Sequence, residues 1–244
     1  MYVANAGDGG SNYTGFRLTD NGRLRHLRGS TFSVPDGSQL GDVLFNATGT
    51  KLAGTRVATS LIDSFRVRSD GRLAAAPGSP FAAQGPGPFG SEFRPTNPSQ
   101  LFVSNAHGGS NAGTVSAFRV SFDGTLHSIG ASPFADHQTA PCWVEISHDG
   151  RYLFTVNTAV PSVSSYWIGD HGRLHLIGST GFHNPSGLGP LDARLSPGGH
   201  TLWVVDTGAA AVSGFRVHGG SLTEISSSPT PLPAGATACG RVVT

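Results

Sequence analysis

The sequence predicts an all-β protein, a β-propeller of five four-stranded blades of about 49 residues each, and three periodic features carry that prediction. The first is a glycine turn. Asn21-Gly22-Arg23-Leu24 returns as Asp70-Gly71-Arg72-Leu73, Asp123-Gly124-Thr125-Leu126, His171-Gly172-Arg173-Leu174 and Gly219-Gly220-Ser221-Leu222, with the second-position glycines 49, 53, 48 and 48 residues apart. The second is an aromatic just ahead of each turn: Phe16, Phe65, Phe118, Tyr166 and Phe215. The third is an alternating apolar run earlier in each unit, as a half-buried strand requires.

Named a to d in chain order, the strands follow from these features. Strand a is read at Asp42–Asn46, Gly90–Arg94, Trp143–Ser147 and Asp192–Ser196, each closed by a turn such as His148-Asp149-Gly150. Strand b is read at Met1–Asn5, Leu52–Arg56, Leu101–Asn105, Leu153–Asn157 and Leu202–Asp206. Strand c holds the aromatic, and its glycine turn is a hairpin signal because glycine accepts the positive φ of a tight turn. Strand d is led by leucine and ends near Phe32, Phe81, Phe134 and Phe182. Repeats are expected near 1–40, 41–88, 89–139, 140–188 and 189–235 of a single domain, 1–244. A four-stranded meander cannot bury both faces alone, so the units must stack. Ala236–Thr244 aligns with Thr139–Ser147, a strand a, so it is expected to close the first blade, which starts at strand b.

Composition agrees with many short strands: 35 glycines and 16 prolines in 244 residues, with charged residues at 13%. Sixteen basic against fifteen acidic residues, with no run of Lys or Arg, give no nucleic-acid footprint. No apolar run reaches the ~20 residues of a membrane span, and no signal peptide is visible. The chain therefore reads as soluble, cytoplasmic as written and exported if a segment lies upstream. Cys142 and Cys239 fall at equivalent strand positions and read as small buried hydrophobes.

Beyond period and pattern, the Asp-Gly-Arg-Leu turns, the Phe-Arg-Val strands and Ala140-Pro141-Cys142-Trp143 followed by Asp149–Asn157 resemble the lactonase-like β-propeller family, which includes propeller-type 6-phosphogluconolactonases and the fungal carboxy-muconate lactonising enzyme. The resemblance covers essentially the whole chain. It implies a seven-bladed ring, so the five repeats read either as a fragment lacking two N-terminal blades or as a five-bladed ring. It also implies activity on a lactone such as 6-phosphogluconolactone, without metal or other cofactor. Family members commonly show Gly-Pro-Arg-His entering a strand a and Asn-Glu after the next strand b. Here the entries are Gly87-Pro88-Phe89-Gly90, Ala140-Pro141-Cys142-Trp143 and Gly189-Pro190-Leu191-Asp192, and the exits are Asn105-Ala106, Asn157-Thr158 and Asp206-Thr207. The alternative is a non-catalytic propeller that binds a ligand or protein on one face.

Lactone chemistry needs a base for water and a cation for the developing oxyanion. Strand-a register puts Leu44, Glu92, Glu145 and Arg194 at equivalent positions, which makes Glu92, Glu145 and Arg194 the catalytic candidates. The same pattern also reads as a structural ion pair between Glu145 and Arg194. The strand-b exits Asn5, Arg56, Asn105, Asn157 and Asp206 would form a polar rim for a sugar-like ligand, with Arg56 an anion site, or would cap their turns. His107, in the long loop after Asn105, completes the ligand-binding set. The ten histidines lack metal-ligand spacing.

Overall fold

The computed structural model describes residues 1–7, 10–184, 187 and 189–233, and these form strands and turns with no helix. Five antiparallel sheets follow one another along the chain, and in each the strand order is the chain order. The second blade shows the pattern: strand a Leu40–Phe45, strand b Lys51–Arg56, strand c Leu61–Val67, then strand d in two pieces, Leu73–Ala75 and Phe81–Ala82. The third repeats it with Pro88–Arg94, Asn97–Asn105, Thr114–Val120, Leu126–Ser128 and Phe134–Ala135. The fourth has Pro141–Ile146, Tyr152–Asn157, Ser162–Ile168 and an unbroken strand d, Leu174–Gly181. The fifth has Pro190–Leu195, Thr201–Asp206, Ala211–His218, Ser221–Glu224 and Thr230–Pro231. The first has Tyr2–Asn5, Asn12–Leu18, Leu24–His26 and Phe32–Ser33, and no strand a among the described residues. The segment 236–244, expected as that strand, lies outside the described residues, as does Cys239. Cys142 is buried in strand a of the fourth blade.

Two corrections concern strands a and d. Strand a begins two residues earlier than its sequence reading, because Leu40, Pro88, Pro141 and Pro190 already pair with the strand-b exits across a bulge. Strand d is broken in four blades because a serine replaces its backbone at the break. The hydroxyls of Ser30, Ser79, Ser132 and Ser228 accept the strand-c N–H groups of Gly15, Ser64, Ala117 and Gly214 at 2.7–3.1 Å. Each thereby satisfies a buried donor that the missing ladder would leave unpaired.

Apolar packing runs between sheets rather than within them. Ala53 and Ile62 of the second blade meet Leu101, Phe118 and Val120 of the third. Phe102 and Val115 of the third meet Val144, Leu153 and Tyr166 of the fourth. Four of the strand-c aromatics seen in the sequence, Phe65, Phe118, Tyr166 and Phe215, are these wedges, whereas Phe16 of the first blade is half-buried and joins no such cluster. Each blade is thus stable only against its neighbours.

Candidate functional site

Strand a is the innermost strand, and its side chains from successive blades meet. Leu44 pairs with Ala53, Glu92 with Phe102, Glu145 with Phe154 and Arg194 with Trp203, so the four share one register position. An Nη1 of Arg194 lies 3.0 Å from Glu145 Oε2 and 3.8 Å from Glu92 Oε2. Three consecutive blades therefore bring two carboxylates to one guanidinium. Glu145 is buried, and its other oxygen accepts the backbone N–H of Leu195 at 3.1 Å, so it ties the fourth blade to the fifth. Glu92 and Arg194 retain 17% and 42% side-chain exposure, enough to meet a ligand. Asp42 performs a similar tie on the other side, where Oδ2 accepts the N–H and hydroxyl of Ser91 at 3.0 and 2.9 Å.

Glu92 and Arg194 open onto a cavity of about 490 Å³, which is ample for a small ligand. Its other walls are Met1, Tyr2, Val43, Leu44, Phe45 and Leu52. The arrangement offers a carboxylate able to take a proton from water and a cation able to hold an oxyanion, at the end of a largely apolar chamber. Among the described residues no group of three or more His, Cys, Asp or Glu could hold a metal ion.

The strand-b exits, expected either as a polar rim for a ligand or as caps of their turns, contact strand c. Arg56, Asn105, Asn157 and Asp206 each end their strand, but all four are buried and none lines the cavity. Each turns to its own strand c, two residues beyond its ladder partner, where diagonal neighbours on one face come within reach. Asn105 Nδ2 donates to Ser116 and Asn157 Nδ2 to Ser164, both at 2.9 Å, and Asp206 accepts from Ser213 at 2.6 Å. Arg56, expected as an anion site, grips Asp63 with two bonds of 2.7 and 2.6 Å, so its charge is matched within its own blade. Asn5 is exposed and bonds Asn12. His107 is exposed on the loop after strand b and rests against Gly87, also away from the cavity.

Sequence reasoning passed over Asp63 and Tyr13. Tyr13 of the first blade crosses to the second and donates to Asp63 Oδ2 at 2.9 Å. The signal was positional: Asp63 stands where the third, fourth and fifth blades carry Ser116, Ser164 and Ser213. An aspartate at a serine position, beside the single arginine among the exits, marks a buried ion pair. At the fifth blade the charge is not matched. Burial, reinforced by the Glu224 carboxylate and opposed by Ser213, pushes Asp206 up to about 6, and its Oδ1 has no hydrogen-bond partner.

Comparison with known proteins places this geometry in a family. Residues 50–237 match the family model described as "Lactonase, 7-bladed beta-propeller". No curated protein matches the chain in sequence. Among solved structures it is similar to a provisionally assigned 6-phosphogluconolactonase from Bacteroides fragilis, with 22% identity, a TM-score of 0.73, and coverage of 92% of this chain and 66% of that one. A second provisional 6-phosphogluconolactonase, from Bacteroides uniformis, gives 19%, 0.75, 95% and 68%. The periplasmic gluconolactonase of Pseudomonas aeruginosa gives 16%, 0.72, 95% and 69%. The chain spans about two thirds of the length of each, and at these identities the likeness shows the fold. With more than half of its residues matched to the family model and its five sheets stacked as blades, the chain belongs to the seven-bladed β-propeller lactonase family.

Proposed function

We propose that the chain opens a sugar-type lactone, such as gluconolactone or its 6-phosphate, at the cluster of Glu92, Glu145 and Arg194. The observation that carries this reading is the pair of accessible groups, Glu92 and Arg194, facing one cavity from different blades. Glu92 takes the proton of the attacking water. Arg194 stabilises the oxyanion that forms on the lactone carbonyl, and on collapse the ring C–O bond breaks and the ring oxygen takes up a proton. Glu145 touches no substrate; it positions Arg194 through the 3.0 Å contact. The kinship with proteins described as gluconolactonases supports the substrate class.

The test is the rate of acid release from gluconolactone, followed at constant pH, beside that of Glu92→Gln and Arg194→Met. Loss of the catalysed rate in both variants with unchanged melting supports the assignment. A wild-type rate equal to that of buffer ends it. A second reading has its own support: Arg194 shares its charge between two carboxylates, which suits a non-catalytic propeller whose inner strands are merely clamped. On that reading, Arg194→Met lowers stability and leaves ligand binding untouched.

A further inference from the structure

The junction between the third and fourth blades departs from the repeat twice, and each change sets an oxygen where the other junctions have hydrocarbon. Two residues beyond the strand-d phenylalanines Phe32, Phe81 and Phe134 stand Val34, Ala83 and Asp136. Val34 belongs to the apolar cluster of the first junction, and Ala83 packs against that of the second. The third junction has instead a carboxyl that is 1% exposed. The strand-c aromatics facing these places from the next blade are Phe65, Phe118 and Tyr166, and of the three only Tyr166 carries a hydroxyl.

Neither oxygen is satisfied. Tyr166 is wholly buried, and its hydroxyl has no hydrogen-bond partner. Asp136 Oδ1 accepts the N–H of Gln138 at 2.7 Å, but Oδ2 has no partner. Burial pushes the phenol's pKa up, and the nearby Asp136 charge pushes it the same way. The phenol therefore keeps its proton and has it to donate.

A third oxygen belongs to the same junction. Asn157 directs Nδ2 to Ser162 and Ser164 at 3.0 and 2.9 Å, which leaves its Oδ1 without a partner. In the third blade, by contrast, Asn105 Oδ1 accepts the Ser116 hydroxyl at 3.3 Å. Asp136 and Asn157 stand at the same end of the junction. A Cβ on Gly113 would lie 2.7 Å from Asp136 Oδ1 and 2.5 Å from Cδ of Pro141, the ladder partner of Asn157. Gln138, two residues beyond Asp136, accepts the Ser162 hydroxyl at 3.4 Å across the junction.

A group that serves these atoms must accept from the phenol and donate to the other two. A cation accepts nothing and would leave the phenol's proton without a partner. A bond from Tyr166 straight to Asp136, which the structure does not make, would leave Asn157 unserved. Water can do both, and a buried water takes two to four polar partners. We propose that one buried water bridges the third and fourth blades, accepting from the Tyr166 hydroxyl and donating to Asp136 Oδ2 and Asn157 Oδ1. The loop that begins at Asp136 runs into Pro141–Ile146, the strand that carries Glu145, so the bridge fastens that strand at its entry.

The test is a crystal structure of the chain at a resolution that shows ordered water, with some crystals soaked in rubidium chloride. A peak about 2.6–3.2 Å from all three oxygens is expected, with no anomalous signal from rubidium. The proposal falls if no peak touches all three, if the phenol bonds the carboxyl directly, or if rubidium occupies the place. Thermal melting supplies a second readout. Tyr166→Phe should lower the melting temperature by a few degrees, because it takes a donor from the bridge. The same change should cost little in an Asp136→Val background, which restores the first junction's residue at that place. Equal losses in the two backgrounds would show that Tyr166 and Asp136 share no partner, and would overturn the bridge. The wild-type density decides the matter should a variant fail to fold.

Discussion

The exit of strand b in the second blade and the same exit in the fifth are built on one backbone plan and filled with opposite charges. In the second, Arg56 meets Asp63 through two short bonds and Tyr13 adds a third from the neighbouring blade. In the fifth, Asp206 has one hydroxyl, from Ser213, and an unpartnered oxygen, with Glu224 close enough to oppose its ionisation. Between them, Asn105 and Asn157 fill the place with amides that donate to serine hydroxyls. The position needs polar contact to strand c, and charge is acceptable there only when matched.

The largest consequence belongs to the second blade. Replacing Arg56 by alanine leaves Asp63, which is 1% exposed, as an uncompensated buried charge. Removing one partner of a buried pair costs about 3–5 kcal/mol. Urea denaturation of Arg56→Ala should show that loss, whereas changing both partners together to apolar residues of similar size should recover most of it. Full loss in the double variant would mean that the ion pair does more than satisfy itself.

The fifth blade gives a smaller effect of opposite sign. A carboxyl whose pKa is raised on folding binds its proton more tightly in the folded state. Asp206 therefore lowers stability as pH climbs from about 4 through about 6, and the penalty is complete above that window. At about 1.4 kcal/mol per unit, it approaches 3 kcal/mol. Asp206→Asn should remove it, making the variant more stable than wild type at pH 8 and little different at pH 4, since the new amide can donate to Ser213 as Asn157 does to Ser164. A difference between the two proteins that does not change with pH would show that Asp206 is not the titrating group.

How much of this was legible beforehand differs between frame and site. The blade count, the wedge aromatics and the shared register of Leu44, Glu92, Glu145 and Arg194 follow from spacing alone, because a strand has a period of two and a repeat fixes the origin. The fate of the exits did not follow. Whether Arg56 faces a ligand or a partner depends on what stands diagonally across strand c, which is seen only when Asp63 is aligned with Ser116 and Ser164. The breaks in strand d were written in the recurring serines at 30, 79, 132 and 228, but a hydroxyl standing in for a ladder carbonyl is a tertiary fact.

The smallest effect comes from the hydroxyl that joins two blades. Tyr13→Phe keeps the ring in its buried place and deletes only the bond to Asp63, which retains both contacts to Arg56. A hydrogen bond to a charged group contributes about 1.5–3 kcal/mol, and the surviving partners put the expected loss near the lower end. The phenol reaches Asp63 only because residue 54 has no side chain, since a Cβ there would collide with the Tyr13 hydroxyl. Gly54→Ala should therefore expel the phenol and break the same bond. If the crossing from blade to blade is what the hydroxyl supplies, Tyr13→Phe will cost almost nothing further in the Gly54→Ala background, a coupling that a double-mutant cycle reads directly. Additive losses would place the worth of Tyr13 in its ring, as one more apolar wedge, and leave Arg56 and Asp63 as a pair complete within their own blade.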